Sequence, residues 1–311
     1  MNTNPHSPEP KLNRRQFIAA GVSMAATLAG GVAMTGCASS QPKKGVGMTA
    51  EDRWKMRLST SSVMFVKLPF EQFCERAAKL GFEAVDIWGP LFKCTHLEDI
   101  EARLGASGLK EVLAKHKLKL CAFSLYRGDY QKYVTLMGAA GGGVAIRGSE
   151  RPCKPEELTA KMKDFLERLK PFADLAGKNN SYLAIENHGH ALLDSIDSLK
   201  AFTDLNKHPH LGIALAPYHI QAGKMSVEDA ILACGKQLFF FYAWQHGKGL
   251  EQLPGHGPTD FTPWLAALAK IGYARYVNPF MHGEPEPDEM TAAAAKSRQY
   301  MLDCYAKTVR G

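Results

Sequence analysis

The chain has 311 residues, 45% of them hydrophobic and 22% charged. That composition excludes a disordered, collagen-like or polytopic membrane protein. The formal net charge is +7, of which residues 1–36 carry +2 and the other 275 residues +5. No basic block with interleaved aromatic residues occurs, so nucleic-acid binding has no support.

Arg14-Arg15-Gln16-Phe17 leads into an uncharged, Ala- and Gly-rich run that ends near Met34. Basic residues before such a run mark a secretory signal, and the paired arginines resemble the twin-arginine export signal. Met34-Thr35-Gly36-Cys37 resembles a lipobox, which makes Cys37 the expected lipidated first residue. The organisation expected is a signal over 1–36, a polar tether over 37–54 and one folded domain over 55–311. The protein is then periplasmic or anchored to the cell envelope through Cys37 alone. Of the other six cysteines none forms a C-x-x-C pair, which leaves a zinc ribbon without support. Cys74, Cys121, Cys234 and Cys304 sit among apolar neighbours and read as core residues.

Beyond residue 57 short apolar runs alternate with longer amphipathic ones. Strands are expected at 57–65, 84–88, 118–125, 143–148, 182–186, 211–216, 238–244 and 276–281. Helices are expected at 69–80, 97–116, 154–176, 196–206, 226–234, 260–269 and 291–308. Near-continuous apolar strands alternating with helices imply a parallel sheet covered on both faces. Eight such units fit a single (β/α)8 TIM barrel. An open doubly wound sheet is the alternative. It is expected to carry a Gly-rich loop after its first strand, whereas Phe65-Val66-Lys67-Leu68-Pro69 follows here. Gly141-Gly142-Gly143 precedes a strand and reads as a turn.

Barrel chemistry sits at the C-terminal strand ends, and there the apolar runs break into polar and aromatic residues. The ends read Asp86-Ile87-Trp88, Arg147-Gly148, Glu186-Asn187-His188, Pro217-Tyr218-His219, Trp244-Gln245-His246 and Asn278 to Glu284. Glu186 stands out, because burying an acid without a task is costly. Glu186, His219, His246 and His282 lie 33, 27 and 36 residues apart, one strand–helix unit each. His208 and His210 precede a strand and read as solvated, and His96 and His116 read as surface residues. Trp88 and Trp244 are either barrel plugs or platforms for a sugar ring.

These residues resemble the xylose isomerase-like barrel superfamily over about residues 55–308. The echoes are G-F-E-A-V-D-I-W-G-P (81–90), A-I-R-G-S (145–149), A-I-E-N-H-G (184–189), A-P-Y-H (216–219) and G-H-G-P-T-D-F (255–261). The resemblance implies a sugar isomerase, epimerase or lyase and a metal held by Glu, Asp, His and Glu from the last four strands. Glu186 matches the first of these. Ala216 stands at the Asp position, Tyr242 or Trp244 at the His position and Asn278 at the last Glu position. Glu186, His219, His246 and His282 remain as the expected metal ligands, and histidine-rich ligation favours Mn, Co, Ni or Zn.

An epimerase that works with two opposed carboxylates is disfavoured by the loss of one glutamate. A one-base reaction is better supported, with Glu186 or His188 taking a proton beside a carbonyl. Trp88, Arg147, Asn187, Trp244, Gln245 and Asn278 are expected to hold the sugar. The alternative is a non-catalytic sugar-binding lipoprotein on a decayed barrel. A DNA-repair enzyme like endonuclease IV is argued against by the export signal and modest charge.

Overall fold

A computed structural model describes residues 54–309; Arg14, Arg15 and Cys37 lie outside the described residues. The eight apolar runs form β1 (Arg57–Ser61), β2 (Ala84–Trp88), β3 (Lys119–Ser124), β4 (Val144–Gly148), β5 (Tyr182–Glu186), β6 (Leu211–Leu215), β7 (Leu238–Ala243) and β8 (Tyr276–Pro279). Each strand pairs in parallel with the next, and β8 returns to β1, so the barrel is closed. Parallel neighbours require helical crossovers, and these cover the outer face while side chains fill the inner one. Most of the strands are predominantly apolar for that reason, and β1 instead buries Ser59, Thr60 and Ser61. Every residue of β2, β6, β7 and β8 is buried.

The crossover helices bury one stripe each. In Phe70–Lys79 the stripe is Phe70, Phe73, Cys74 and Ala77, spaced as an amphipathic helix requires. Two helices go beyond the sequence expectation. Tyr130–Ala139 fills the connection between β3 and β4, with Asp129 capping it by accepting the Lys132 N–H at 3.1 Å. Its inward stripe, Tyr130, Tyr133, Val134 and Met137, relies on two tyrosines, whose hydroxyls blur the apolar period. Pro217–Ala222 starts directly after β6.

Other boundaries move as well. β1 stops at Ser61, and Ser62–Phe65 is a tight 3-10 turn, since apolar character alone does not separate strand from buried turn. The stretch 97–116 divides into His96–Asp99, a wider π turn over Ile100–Leu104 and Gly105–Lys115. Gly141 and Gly142 have φ of +120° and +87°, and a Cβ at Gly142 would collide with the Asn180 carbonyl. The triple glycine is a turn for that reason. His96 is buried, with Nε2 2.7 Å from the Leu68 carbonyl, in place of the surface position expected. Cys74, Cys94, Cys121, Cys153, Cys234 and Cys304 are free thiols.

The pleat sets which residues reach the interior. Glu186 pairs with Gly148 across β4 and β5, and Ile185 pairs with Arg147. These two pairs alternate, one facing into the barrel and the other toward the helices.

Candidate active site

A cavity of about 490 Å³ opens at the C-terminal mouth of the barrel, within the range of small-molecule sites. Its aromatic lining is Trp88, Phe92, Tyr126, Tyr218 and Trp244; its polar lining is Glu186, His188, His219, Gln252 and His282. Among the described residues neither a lysine nor an arginine lines it.

The walls are fixed by hydrogen bonds and stacking. Trp88 ends β2, stacks on Phe280 with ring centroids 5.4 Å apart and donates Nε1–H to Asp86 Oδ2 at 2.7 Å. Trp244 follows β7, stacks on Tyr218 at 4.4 Å and donates Nε1–H to Gln252 Oε1 at 2.9 Å. Gln252 also donates to the His282 carbonyl at 2.9 Å and so ties the loops after β7 and β8 together. At the rim Phe92 is 50% exposed and its ring lies 4.5 Å from that of His282. Phe92 and Lys93 have φ of 51° and 59°, a conformation that side-chain-bearing residues adopt only when held. Lys93 pairs with Glu284 at 2.9 Å, which helps to hold it.

Glu186 ends β5 and lines the cavity together with Tyr126. Burial pushes it up to about 8, opposed by the Tyr126 hydrogen bond and aided by the charge of Asp86. A carboxyl that exchanges its proton near neutral pH suits acid–base work. The neighbouring imidazoles move the other way. Burial, then the neighbouring His188, His282 and His246, lower His219 to about 3, and burial and His188 lower His282 to about 4. Both rings are neutral at pH 7 and offer one N–H and one lone pair each. The His188 and His219 rings are 3.9 Å apart.

The structure gathers Glu186, His188, His219, His282, Trp88 and Trp244 around one cavity. It places the other expected residues elsewhere. Arg147 points outward, its guanidinium 4.8 Å from the Phe172 ring and 5.3 Å from Tyr130. Asn187 clasps β6, accepting from Ala216 N–H at 2.6 Å and donating to Ala216 O at 3.2 Å. Gln245 pins the following loop, donating to Leu253 O at 2.8 Å and accepting from Thr259 N–H at 2.9 Å. These three amide and guanidinium groups are spent on the scaffold. Asn278 is buried one layer below the cavity, its amide 2.8 Å from Ser61 Oγ. His246 is exposed outside the lining, because the chain leaves strand geometry after Ala243.

The expected metal set therefore does not assemble. Tyr242 and Asn278, at the family's ligand positions, engage Ser124, Tyr126 and Ser61, and Ala216 has no donor side chain. Among the described residues no group of three or more His, Cys, Asp or Glu side chains is disposed to hold one ion. The residues present do not fit the implied metal.

Asp86 is the main residue that sequence reasoning left out of the site. It is fully buried on β2, accepting from Ser61 Oγ at 2.6 Å and from Trp88 Nε1. Its signal was an acid inside A-V-D-I-W, two residues before Trp88 and on the same face. Tyr126, Tyr218 and Gln252 come from connecting segments, where no periodic pattern announces them.

A search of curated proteins finds no match to the chain. Solved structures share its fold at low identity. A xylose isomerase domain protein from Alicyclobacillus acidocaldarius superposes with a TM-score of 0.65 at 16% identity, covering 83% of this chain and 100% of the other. The 3-keto-D-glucoside 4-epimerase YcjR from E. coli gives 0.61 at 14%, covering 79% and 100%. The IolI protein, described with a bound zinc atom, gives 0.64 at 18%, covering 81% and 99%. A family model described as the xylose isomerase-like TIM barrel matches residues 74–303. With that match spanning most of a closed eight-stranded barrel, the chain belongs to the xylose isomerase-like TIM barrel family.

Proposed function

We propose that this chain is an exported enzyme that moves a proton beside the carbonyl of an uncharged keto-sugar or keto-glycoside. The product is an isomer, or an unsaturated sugar after elimination. The observation that carries the reading is the buried Glu186 carboxyl facing a cavity with aromatic walls and, among the described residues, no lysine or arginine in its lining. A phosphorylated or carboxylated sugar would meet Glu186 with no lysine or arginine to offset its charge. An uncharged ring fits, its C–H faces against Trp88 and Trp244 and its hydroxyls toward the histidines and Gln252.

Glu186 as carboxylate removes the proton from the carbon next to the carbonyl. The C–H electrons form the enolate, whose oxygen accepts an N–H from neutral His219 or His282. Return of the proton to the former carbonyl carbon, with the proton of the adjacent hydroxyl passing to the enolate oxygen, isomerises the sugar. Loss of a hydroxyl or alkoxyl substituent from the next carbon, leaving with its bonding electrons and taking the proton held by the Glu186 carboxyl, completes an elimination. No step is routed through a metal. The fold shared with a 3-keto-D-glucoside 4-epimerase agrees with such a substrate class. Arg14-Arg15 and Cys37 support twin-arginine export and lipid anchoring.

The test is proton exchange in D2O, followed by NMR on 3-keto-glucosides and ketoses with the mature protein. The expected result is exchange beside the carbonyl, reduced at least about 100-fold by Glu186→Gln with unchanged circular dichroism. Sugar binding with no exchange at all would overturn the enzyme reading and favour the non-catalytic sugar-binding lipoprotein.

A further inference from the structure

The cavity has room for more than one sugar ring. Even at the about 30 Å³ that liquid water gives each non-hydrogen atom, a hexose fills no more than about 360 Å³, and the cavity offers about 490 Å³. Glu186 is buried and Phe92 is half exposed, so the lining runs from the acid to the solvent edge.

Among the described residues the exposed large apolar side chains are Phe92, Phe172 and Leu232, and of these only Phe92 lines the cavity. One exposed phenylalanine is ordinary. The way this one is held is not. The Leu91 carbonyl accepts the Cys94 N–H at 2.9 Å, which closes a tight turn with Phe92 and Lys93 at its centre. Both central residues have positive φ, 51° and 59°, a pattern that glycine, asparagine and aspartate normally supply. A bulky side chain is costly there. Contacts on either side keep the turn in place. Cys94 is buried, its Sγ 3.7 Å from the Trp88 carbonyl and 3.4 Å from His96 Nδ1. Lys93 reaches across the mouth to Glu284, beyond β8, at 2.9 Å. The turn thus holds a phenyl ring with its centroid 4.5 Å from that of His282 and 6.2 Å from that of Trp88, while half of the residue's surface stays open.

We infer that Phe92 is the platform of an outer subsite, and that the preferred ligand is a keto-glycoside whose anomeric substituent lays an apolar face on it, either a second sugar ring or an arene. This rests on the reading of the cavity as the site of an uncharged keto-sugar. The reacting ring lies against Trp88 and Trp244 beside Glu186, and the substituent leaves through the mouth past Leu91 and Phe92. A free ketose fills only the inner part and leaves Phe92 uncovered. The C–H face of a pyranose, or an arene, covers the open side of the ring and removes apolar area from water. Charge does not compete with this selection. Lys93 and Glu284 offset each other at the rim, so an ionic substituent finds no unpaired partner in that pair.

The experiment is isothermal titration calorimetry of the full mature protein carrying Glu186→Gln, which stops turnover. The probes are three 3-keto-glucosides: the methyl glycoside, the phenyl glycoside and the disaccharide with a second glucose. The phenyl glycoside, the disaccharide or both are expected to bind at least about 10-fold more tightly than the methyl glycoside. Adding Phe92→Ala is expected to cut that ratio to below about 3-fold, and Phe92→Tyr, which keeps the ring, to preserve it. Tighter binding of the disaccharide assigns the subsite to a second sugar, and tighter binding of the phenyl glycoside assigns it to an arene. Equal affinities for all three, a ratio unchanged by Phe92→Ala, or no binding of any of them overturns the proposal. Binding needs no turnover, so the two readings fail separately. A preference that depends on Phe92 without proton exchange in the wild type removes the enzyme reading alone, and exchange without a preference removes the outer subsite alone.

Discussion

Replacing Asn187 with alanine removes the side chain that clasps β6 to β5 below the cavity mouth. Its oxygen takes the Ala216 N–H at 2.6 Å and its nitrogen gives to the Ala216 carbonyl at 3.2 Å. Alanine leaves the Ala216 N–H buried without a partner, whereas the Ala216 carbonyl keeps the His219 N–H at 3.2 Å. At about 1–3 kcal/mol for such a group, the loss is about 2 kcal/mol. At about 2–4 °C per kcal/mol for a domain of this size, Tm falls by roughly 4–8 °C. Ala216 precedes the Pro217–Ala222 helix that carries Tyr218 and His219, so sugar affinity is expected to weaken only modestly in the folded fraction. Urea unfolding gives the stability and equilibrium dialysis gives the affinity. A stability loss below about 1 kcal/mol together with abolished sugar binding would refute the reasoning. Asn187 would then be a ligand and not a strut.

Arg147→Ala is expected to leave sugar affinity and exchange unchanged and to lower stability by about 1 kcal/mol, the value of its contacts with Tyr130 and Phe172; a large loss of sugar affinity would put its guanidinium in the site. Folded Asp86 and Glu186 titrate near 7 and 8, above the unfolded values of about 4, so the folded chain holds more of their protons between about pH 4 and 8. Their share of stability falls as pH rises through that window. His219 and His282, lowered to about 3 and 4, lose their share as pH falls below about 6.5, so the comparison belongs between about pH 7 and 8. Urea midpoints there are expected to drop with pH in the wild type and to flatten in the Asp86→Asn, Glu186→Gln double variant; equal slopes would refute the assignment. Exchanging Arg14 and Arg15 for lysine is expected to keep the protein in the cytoplasm by immunoblot of cell fractions, and normal export would remove the twin-arginine reading. Mass spectrometry of the mature chain is expected to show a diacylated Cys37 at the N-terminus; any other first residue contradicts it.

How far the site could be read depended on where each residue sits relative to the end of its strand. Glu186 was legible because it ends an apolar run, where an acid is costly without a function. Arg147 misled because it lies one position from Gly148, the residue that pairs with Glu186. One step along a strand reverses the face, and sequence alone does not give the register. His246, expected among the metal ligands, stays outside the cavity because β7 ends at Ala243 and the strand alternation stops there. His282 lies beyond β8 but reaches the cavity, because Gln252 holds its backbone at both N–H and C=O.

The sequence by itself determined the barrel. Strands buried on both faces must be apolar throughout, helices buried on one face must be periodic, and eight alternations leave closure as the way to pair both edges. It also determined that polar residues gather at the C-terminal rim, since there the apolar runs stop. Only the tertiary structure decided which of them share a cavity and which are spent on the scaffold. The Asn187 and Gln245 bonds are made to backbone groups 29 and 8 residues away, and the contacts from Asp86 through Ser124 and Tyr242 span 38 and 118 residues. Pairings of that range follow from the closure of the sheet and the orientation of each loop, which no local pattern encodes.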